Sequence, residues 1–271
     1  MTTIGIVFPP SQPPERLRDV ALAAEAADIE EFWLWEDCFA ESGLAPAAAV
    51  LAWTNRIRVG ISLIPVPLRN VALSAMEIAT IERLFPGRLL PGFGHGILEW
   101  MGQAGVRAKS PITLLREYST ALRSLLDGET VTTQGDYVRL DNVRLAYPPE
   151  SVPPLLIGAT KPKSLAIAGE LGDGVLLGGG NETPDELRQS LRVALQAREA
   201  KSIDPPFDVV MPVMVPADAS AADIEEAARP YAEAGATRLT VCGIDAEGAP
   251  DGSERLLRLV DAVAEVRTRF A

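Results

Sequence analysis

Short apolar, β-branched runs alternate with helical patterns eight times along this chain. The strand candidates occupy residues 3–8, 31–36, 57–64, 88–93, 154–158, 174–177, 208–215 and 238–242. Helical patterns near 14–27, 46–54, 71–84, 111–126, 162–171, 184–200, 221–234 and 253–270 follow them in turn. Strands that are apolar on both faces are buried on both sides, so a parallel sheet covered by helices is expected. Eight units close a barrel, whereas a doubly wound open sheet, the runner-up, more often stops at about five or six strands. The 271 residues fit, since such a barrel takes about 250. No Pro/Gly/Ser-rich linker divides the chain. Residues 1–271 therefore read as a single α/β domain, a (β/α)8 barrel with a small insertion between helix 4 and strand 5.

Several helix starts carry their own explanation. Thr183-Pro184-Asp185-Glu186 supplies an N-cap hydroxyl, a proline at the first helical position and a glutamate placed for a capping box. Ser110-Pro111 and Ser220-x-x-Asp223 repeat parts of that pattern. The insertion, residues 128–153, carries stretches 130–133 and 137–140 around Gln134-Gly135-Asp136 that suit a hairpin. Because it follows a helix, it is expected to leave from the end of the barrel opposite the catalytic loops, as a packing or oligomer contact.

Charge and rare residues narrow the function. Twenty-five basic against 37 acidic residues give a net charge of −12, a field that repels phosphate backbones and anionic lipid. Neither nucleic acid nor a membrane is expected as a partner, and no run of apolar residues is long enough to span a bilayer. The first residues, Met1 to Pro10, read as a strand rather than a secretory leader, and a cytoplasmic location is expected. Two cysteines make no disulfide framework, and a single histidine, His95, rules out histidine-rich metal sites, so no metal is expected.

Catalytic groups of such a barrel sit where strands end and loops lead into helices. Gly92-Phe93-Gly94-His95-Gly96 ends strand four with the one histidine, placed to bond a ligand or to stand as a solvated loop residue. Gly178-Gly179-Gly180-Asn181, before the Thr183 helix, reads equally as an anion site built from amides and a helix dipole, or as a flexible turn. Asp37 and Cys38 close strand two; Asp37 is placed to accept from a ligand or to cap its loop, and Cys38 and Cys242 read as small buried residues. Lys161 and Lys163 open a helix as solvated charges. Trp33, Trp35 and Trp53 are expected to pack, and Trp100 to line a substrate pocket.

The segments Phe32-Trp33-Leu34-Trp35-Glu36-Asp37, Gly60-Ile61-Ser62, Pro86-Gly87-Arg88, Gly94-His95-Gly96 and Leu155 to Leu165, in that order, resemble the bacterial luciferase-like superfamily over nearly the whole chain. Gly94-His95-Gly96 with Trp100-Met101-Gly102-Gln103 and Ser110-Pro111 is most similar to the branch containing methylenetetrahydromethanopterin reductase and other enzymes of the deazaflavin coenzyme F420. Other branches use flavin mononucleotide (FMN).

The resemblance implies a TIM barrel with a tricyclic ring over the carboxyl ends of the strands. It implies Asp37 and Cys38 beside the ring, as the catalytic pair. It places Ser62 and Leu63 behind the ring at a bulge that often holds a non-proline cis peptide. Gly94, His95 and Gly96, then Gly158, Ala159 and Thr160, would contact the cofactor, and Gly178 and Gly179 would donate amides to its phosphate. Cys38 departs from the histidine many relatives carry, and a thiol cannot shuttle protons as an imidazole does at neutral pH. The reading that follows is an oxidoreductase passing hydride between F420 and a small organic substrate. Arg69, Lys161 and Lys163 would offset the chain's acidity for the cofactor's glutamate tail. The alternatives are an FMN-dependent monooxygenase served by a flavin reductase, and a non-catalytic, cofactor-free barrel that binds or assembles. A homodimer is expected by family analogy.

Overall fold

The computed structural model describes residues 2–178, 182–204 and 206–270. Its chain runs β1 (Thr3–Phe8), α1 (Leu17–Ala26), β2 (Glu31–Leu34), α2 (Leu44–Trp53), β3 (Arg58–Pro65), α3 (Val71–Leu84), β4 (Leu89–Gly94), α4 (Leu98–Gln103) and α5 (Pro111–Leu126). It continues through β5 (Val131–Gln134), β6 (Arg139–Val143), β7 (Leu156–Gly158), α6 (Pro162–Leu171), β8 (Gly174–Leu176), α7 (Pro184–Ala200), β9 (Asp208–Pro216), α8 (Ala221–Glu233), β10 (Arg238–Ile244) and α9 (Leu256–Val266). Eight parallel strands close a barrel in the order β1-β10-β9-β8-β7-β4-β3-β2, and β5 and β6 pair apart from it. The eight-unit reading therefore closes as expected. Strand two ends at Leu34 rather than at residue 36, which releases Glu36 and Asp37 into the rim.

The double-sided burial that marks the strands in sequence has two destinations. Val7, Trp33, Leu90, Leu156, Leu176, Val210 and Cys242 fill the barrel interior, with Trp35, Leu63 and Met214 layered on them. The alternate residues, among them Ile4, Ile6, Phe8, Val59 and Ile61, face the helices in a larger shell. Cys242 belongs to the plug, where burial pushes its thiol up to about 12, consistent with a packing role. Helix caps follow the chemistry seen in sequence: Thr183 with Glu186 and Ser220 with Asp223 form capping boxes, and Ser110 Oγ accepts from Thr113 N–H. No helix among the described residues is long and apolar enough to cross a membrane.

One charged cluster ties the amino ends of the strands together. Glu31, with no exposed surface, accepts from Arg58 at 2.7 Å, from the indole N–H of Trp33 at 3.1 Å, and from Arg238. Arg238 also reaches Asp208 at 3.0 Å, so β2, β3, β9 and β10 are bridged by ionic contacts beneath the plug. Removing one partner from such a cluster leaves a buried charge short of its compensation.

The hairpin leaves from the expected end of the barrel, but its path from there is not one the sequence marked. Its base lies near Pro148, whose carbonyl accepts from Arg83 at the end of α3, but its strands fold back along α5. Glu117, in the middle of α5, accepts from the N–H groups of Asp136, Tyr137 and Val138 at 2.9–3.0 Å. The Tyr137 hydroxyl accepts from Ser110 N–H at 2.6 Å, at the very start of α5. The hairpin leaves from the far end of the barrel, yet its tip returns to the catalytic end. The reason is physical: three amides that would otherwise lack partners find one carboxylate partway up the helix.

Two outcomes are expected. Arg238→Ala should cost on the order of 3 kcal/mol in urea unfolding, whereas Arg56→Ala, which removes an exposed pair with Asp28, should cost less than about 1 kcal/mol. Burial works against the Glu117 carboxylate, but its three backbone donors outweigh that and hold its pKa below the ordinary range. The tether is thus intact above the ordinary carboxylate pKa and lost as pH falls through the depressed one. Hydrogen exchange at Asp136–Val138, compared with the core strands, should show selective loss of protection at acid pH.

Candidate active site

The carboxyl ends of β2, β3, β4, β7 and β8 surround a cavity of about 240 Å³. Its lining brings together Asp37, Ser62, Leu63, His95, Gly96, Gly158, Ala159, Thr160 and Gly178, residues separated by up to 141 positions in the chain. Trp100 lines it as expected, and Glu36, Pro65, Ile97, Leu176 and Leu177 join it. Gly94 and Cys38 are not in the lining. Gly179 lies outside the described residues, as do Gly180 and Asn181.

Leu63 is central to the floor. The Ser62–Leu63 peptide is cis, as the resemblance implied, and so is Cys38–Phe39, which no sequence signal marked. The Leu63 side chain lies where a Cβ on Gly94 or Gly158 would sit, with the Gly94 position only 2.6 Å from Leu63 Cδ2. Side chains at either glycine would evict it. Gly94 thus acts from behind the cavity wall, and the two glycines let an apolar surface form across β3, β4 and β7. Gly96, at φ +68°, turns the chain back after β4 in a conformation other residues adopt with strain.

The rim is polar and mostly acidic. Glu36, 8 % exposed, accepts from Gly43 N–H at 2.7 Å and is ion-paired with Arg69, which also lies 3.7 Å from Glu77. This pairing fixes the loop after β2 and neutralises one of two adjacent carboxylates. Asp37 has no such partner among the described residues, and burial pushes its carboxyl above the usual range. Burial, then the nearby Glu36 and Asp37 charges, pushes the Cys38 thiol up as well, so it keeps its proton at neutral pH. His95 Nδ1 lies 2.7 Å from the Gly96 carbonyl. A carbonyl accepts only, so Nδ1 is the donor in this contact.

An apolar floor, close-approaching backbone and a few convergent polar groups suit a flat aromatic ligand. The sequence does not reveal the Glu36–Arg69 pair, because its partners stand 33 residues apart. The short α4, which carries Ile97 and Trp100 to the cavity, is equally silent: six residues make too brief a periodic signal.

The model of the luciferase-like monooxygenase family matches residues 2–266. The chain belongs to that family. It is 30% identical over 228 residues to a 5,10-methylenetetrahydromethanopterin reductase of Methanolobus tindarius, a match covering 84% of this chain and 69% of that one. In fold it resembles an F420-dependent secondary alcohol dehydrogenase solved with an F420–acetone adduct, with a TM-score of 0.86 at 19% identity over 100% of this chain and 99% of that one. A monooxygenase from Streptomyces bottropensis superposes with a TM-score of 0.84 at 17% identity, covering 99% of each chain. Membership of the luciferase-like family makes the protein an oxidoreductase of the flavin or deazaflavin type.

A carboxyl whose pKa is raised by burial costs folding free energy while charged, and the cost disappears as pH falls through the raised pKa. Asp37→Asn should therefore raise the thermal midpoint of the apoprotein at neutral pH, by a margin that closes under acid conditions. The same variant should bind its cofactor more weakly. Melting curves across a pH series, with cofactor titrations at neutral pH, check both.

Proposed function

We propose that the protein transfers hydride between coenzyme F420 and a small organic substrate. The observation that carries this reading is the cavity itself: an apolar floor of Leu63 across two glycine-bearing strands, with Asp37 on one side and His95 on the other. Its residues fit a deazaflavin ring by shape and by donor chemistry. Ser62, Leu63, Gly94 and Gly158 form the support. His95, Gly96, Ala159 and Thr160 would supply polar contacts, and Gly178 an amide for a phosphate. The relatives named above, one a reductase of a pterin-type carrier and one an F420-dependent alcohol dehydrogenase, support the same chemistry.

Bound there, the deazaflavin supplies a carbon that gives or takes hydride. Asp37, more basic than an ordinary carboxylate, takes up or returns the proton at the substrate oxygen or nitrogen. Cys38 stands next to it as a neutral thiol, at most a weak hydrogen-bond donor. Arg69 holds Glu36 in place, so that the charge beside Asp37 is compensated. Trp100, Leu176 and Leu177 keep water from the reacting face. An FMN-dependent monooxygenase is the second reading, favoured by the fold likeness to the Streptomyces enzyme. We further propose a homodimer through α2 and α3: α2 has no charged residue, and α3 exposes Leu73 and Met76.

Parallel fluorescence-quench titrations of the apoprotein with F420 and with FMN test the assignment. Saturable binding of F420 alone is the expected result, followed by turnover that consumes no oxygen. Tight binding of FMN with oxygen uptake would overturn it in favour of the monooxygenase.

A further inference from the structure

Beside the ring cavity lies a second, larger one, of about 870 Å³, which the proposed chemistry does not use. Its walls are the segment from Val66 to Val71, the loop from Gly105 to Ser110, and the tip of the hairpin from Asp136 to Arg139. The two cavities share a partition. Pro65 lines the first and Val66 the second, while α4 carries Trp100 to the first and leads directly into Gly105 and Val106 of the second.

The charge of this cleft runs against that of the chain. With 37 acidic residues against 25 basic ones, a random patch is expected to be negative. Yet the cleft is lined by Arg69, Arg107, Lys109 and Arg139, with Asp136 the one carboxylate among the described residues lining it. Arg69 is committed to Glu36 and Glu77. Among the described residues, Arg107, Lys109 and Arg139 make no ion pair within 4.0 Å; Arg139 donates to the Gly135 carbonyl at 3.3 Å and lies near Glu117. The three side chains are exposed, and they come from two separate walls. The wall that carries Arg139 is held firmly by Glu117 and by the Tyr137–Ser110 bond, so the cations line a preformed space rather than a loose loop.

We propose that this cleft binds an extended polycarboxylate, gripped by Arg107 and Lys109 on one wall and Arg139 on the other. Cations spread along two walls match charges distributed along a chain better than a single compact anion. Two ligands share that chemistry: the oligoglutamate tail of the cofactor, and an acidic substrate chain. The choice between them rests on the deazaflavin reading; the site itself does not.

The test uses the intact protein and a fluorescein-labelled, γ-linked tetraglutamate followed by anisotropy. Wild type should bind it saturably, and the affinity should fall steeply with added salt because the cations are exposed. The Arg107→Gln/Lys109→Gln variant should bind about tenfold more weakly, from the loss of two exposed ion pairs, and Arg139→Gln should weaken binding in the same direction. All three positions are exposed, so unchanged melting temperatures are expected and serve as the folding control. Equal binding by wild type and variants, or no binding at all, would overturn the site.

Unlabelled F420 and its ribityl deazaflavin core, which lacks phosphate and tail, are then added as competitors. Displacement by F420 alone makes the cofactor tail the occupant, whereas displacement by neither leaves an acidic substrate as the occupant. If neither deazaflavin quenches protein fluorescence in the ring cavity, the cofactor reading fails while the peptide result still decides the cleft.

Discussion

The packing of Leu63 against bare backbone on two neighbouring strands is the contact on which the functional end of this molecule depends. A barrel rim is ordinarily a ring of loops with side chains pointing in from every strand, and its centre fills. Here Gly94 and Gly158 leave out the side chains that would fill it, and Leu63 spreads over the gap. The result is a flat apolar floor at the level where β3, β4 and β7 end. Beneath it, Trp33 and its neighbours plug the barrel, so the floor rests on a packed interior rather than a pore. Everything polar in the site, from Asp37 to His95 and Thr160, stands around that floor.

Electrostatics divides the molecule into three levels. At the amino ends of the strands, Glu31 is locked among Arg58, Arg238 and the Trp33 indole, a cluster with a structural role. At the rim, Glu36 is neutralised by Arg69 while Asp37 is left to bear the cost of burial alone. Of two adjacent carboxylates one is thus tied into an ion pair and the other, its pKa raised by burial, is left to exchange a proton. Outside the rim, cations with no ion pair among the described residues gather in the neighbouring cleft of a chain that is acidic overall.

Much of this was legible in the sequence, for reasons that name its limits. Strand burial on both faces and capping residues at helix starts are local signals, so the eight-unit barrel and helices such as Pro184–Ala200 could be read directly. The glycine-bearing strand ends pointed to the rim, and the order of short motifs pointed to the family. The direction of the hairpin was not legible. Position in the chain tells where an insertion leaves the barrel, whereas its return path depends on a single contact between Glu117 and amides about 20 residues away. The Glu36–Arg69 pair and the cationic cleft were hidden for the same reason, since each assembles from loops that meet only in space. Cys38, the departure from the histidine of many relatives, lies outside the cavity lining, and its thiol keeps its proton at neutral pH.

The account stands on the claim that the Leu63 floor seats the cofactor ring. A crystal structure of the protein with F420 tests that claim most directly. The account predicts the ring lying on Leu63, between Asp37 and His95, with Gly94 and Gly158 behind it. Density for the ring in any other cavity, or a ring cavity closed by movement of Leu63 while F420 is bound elsewhere, would contradict it.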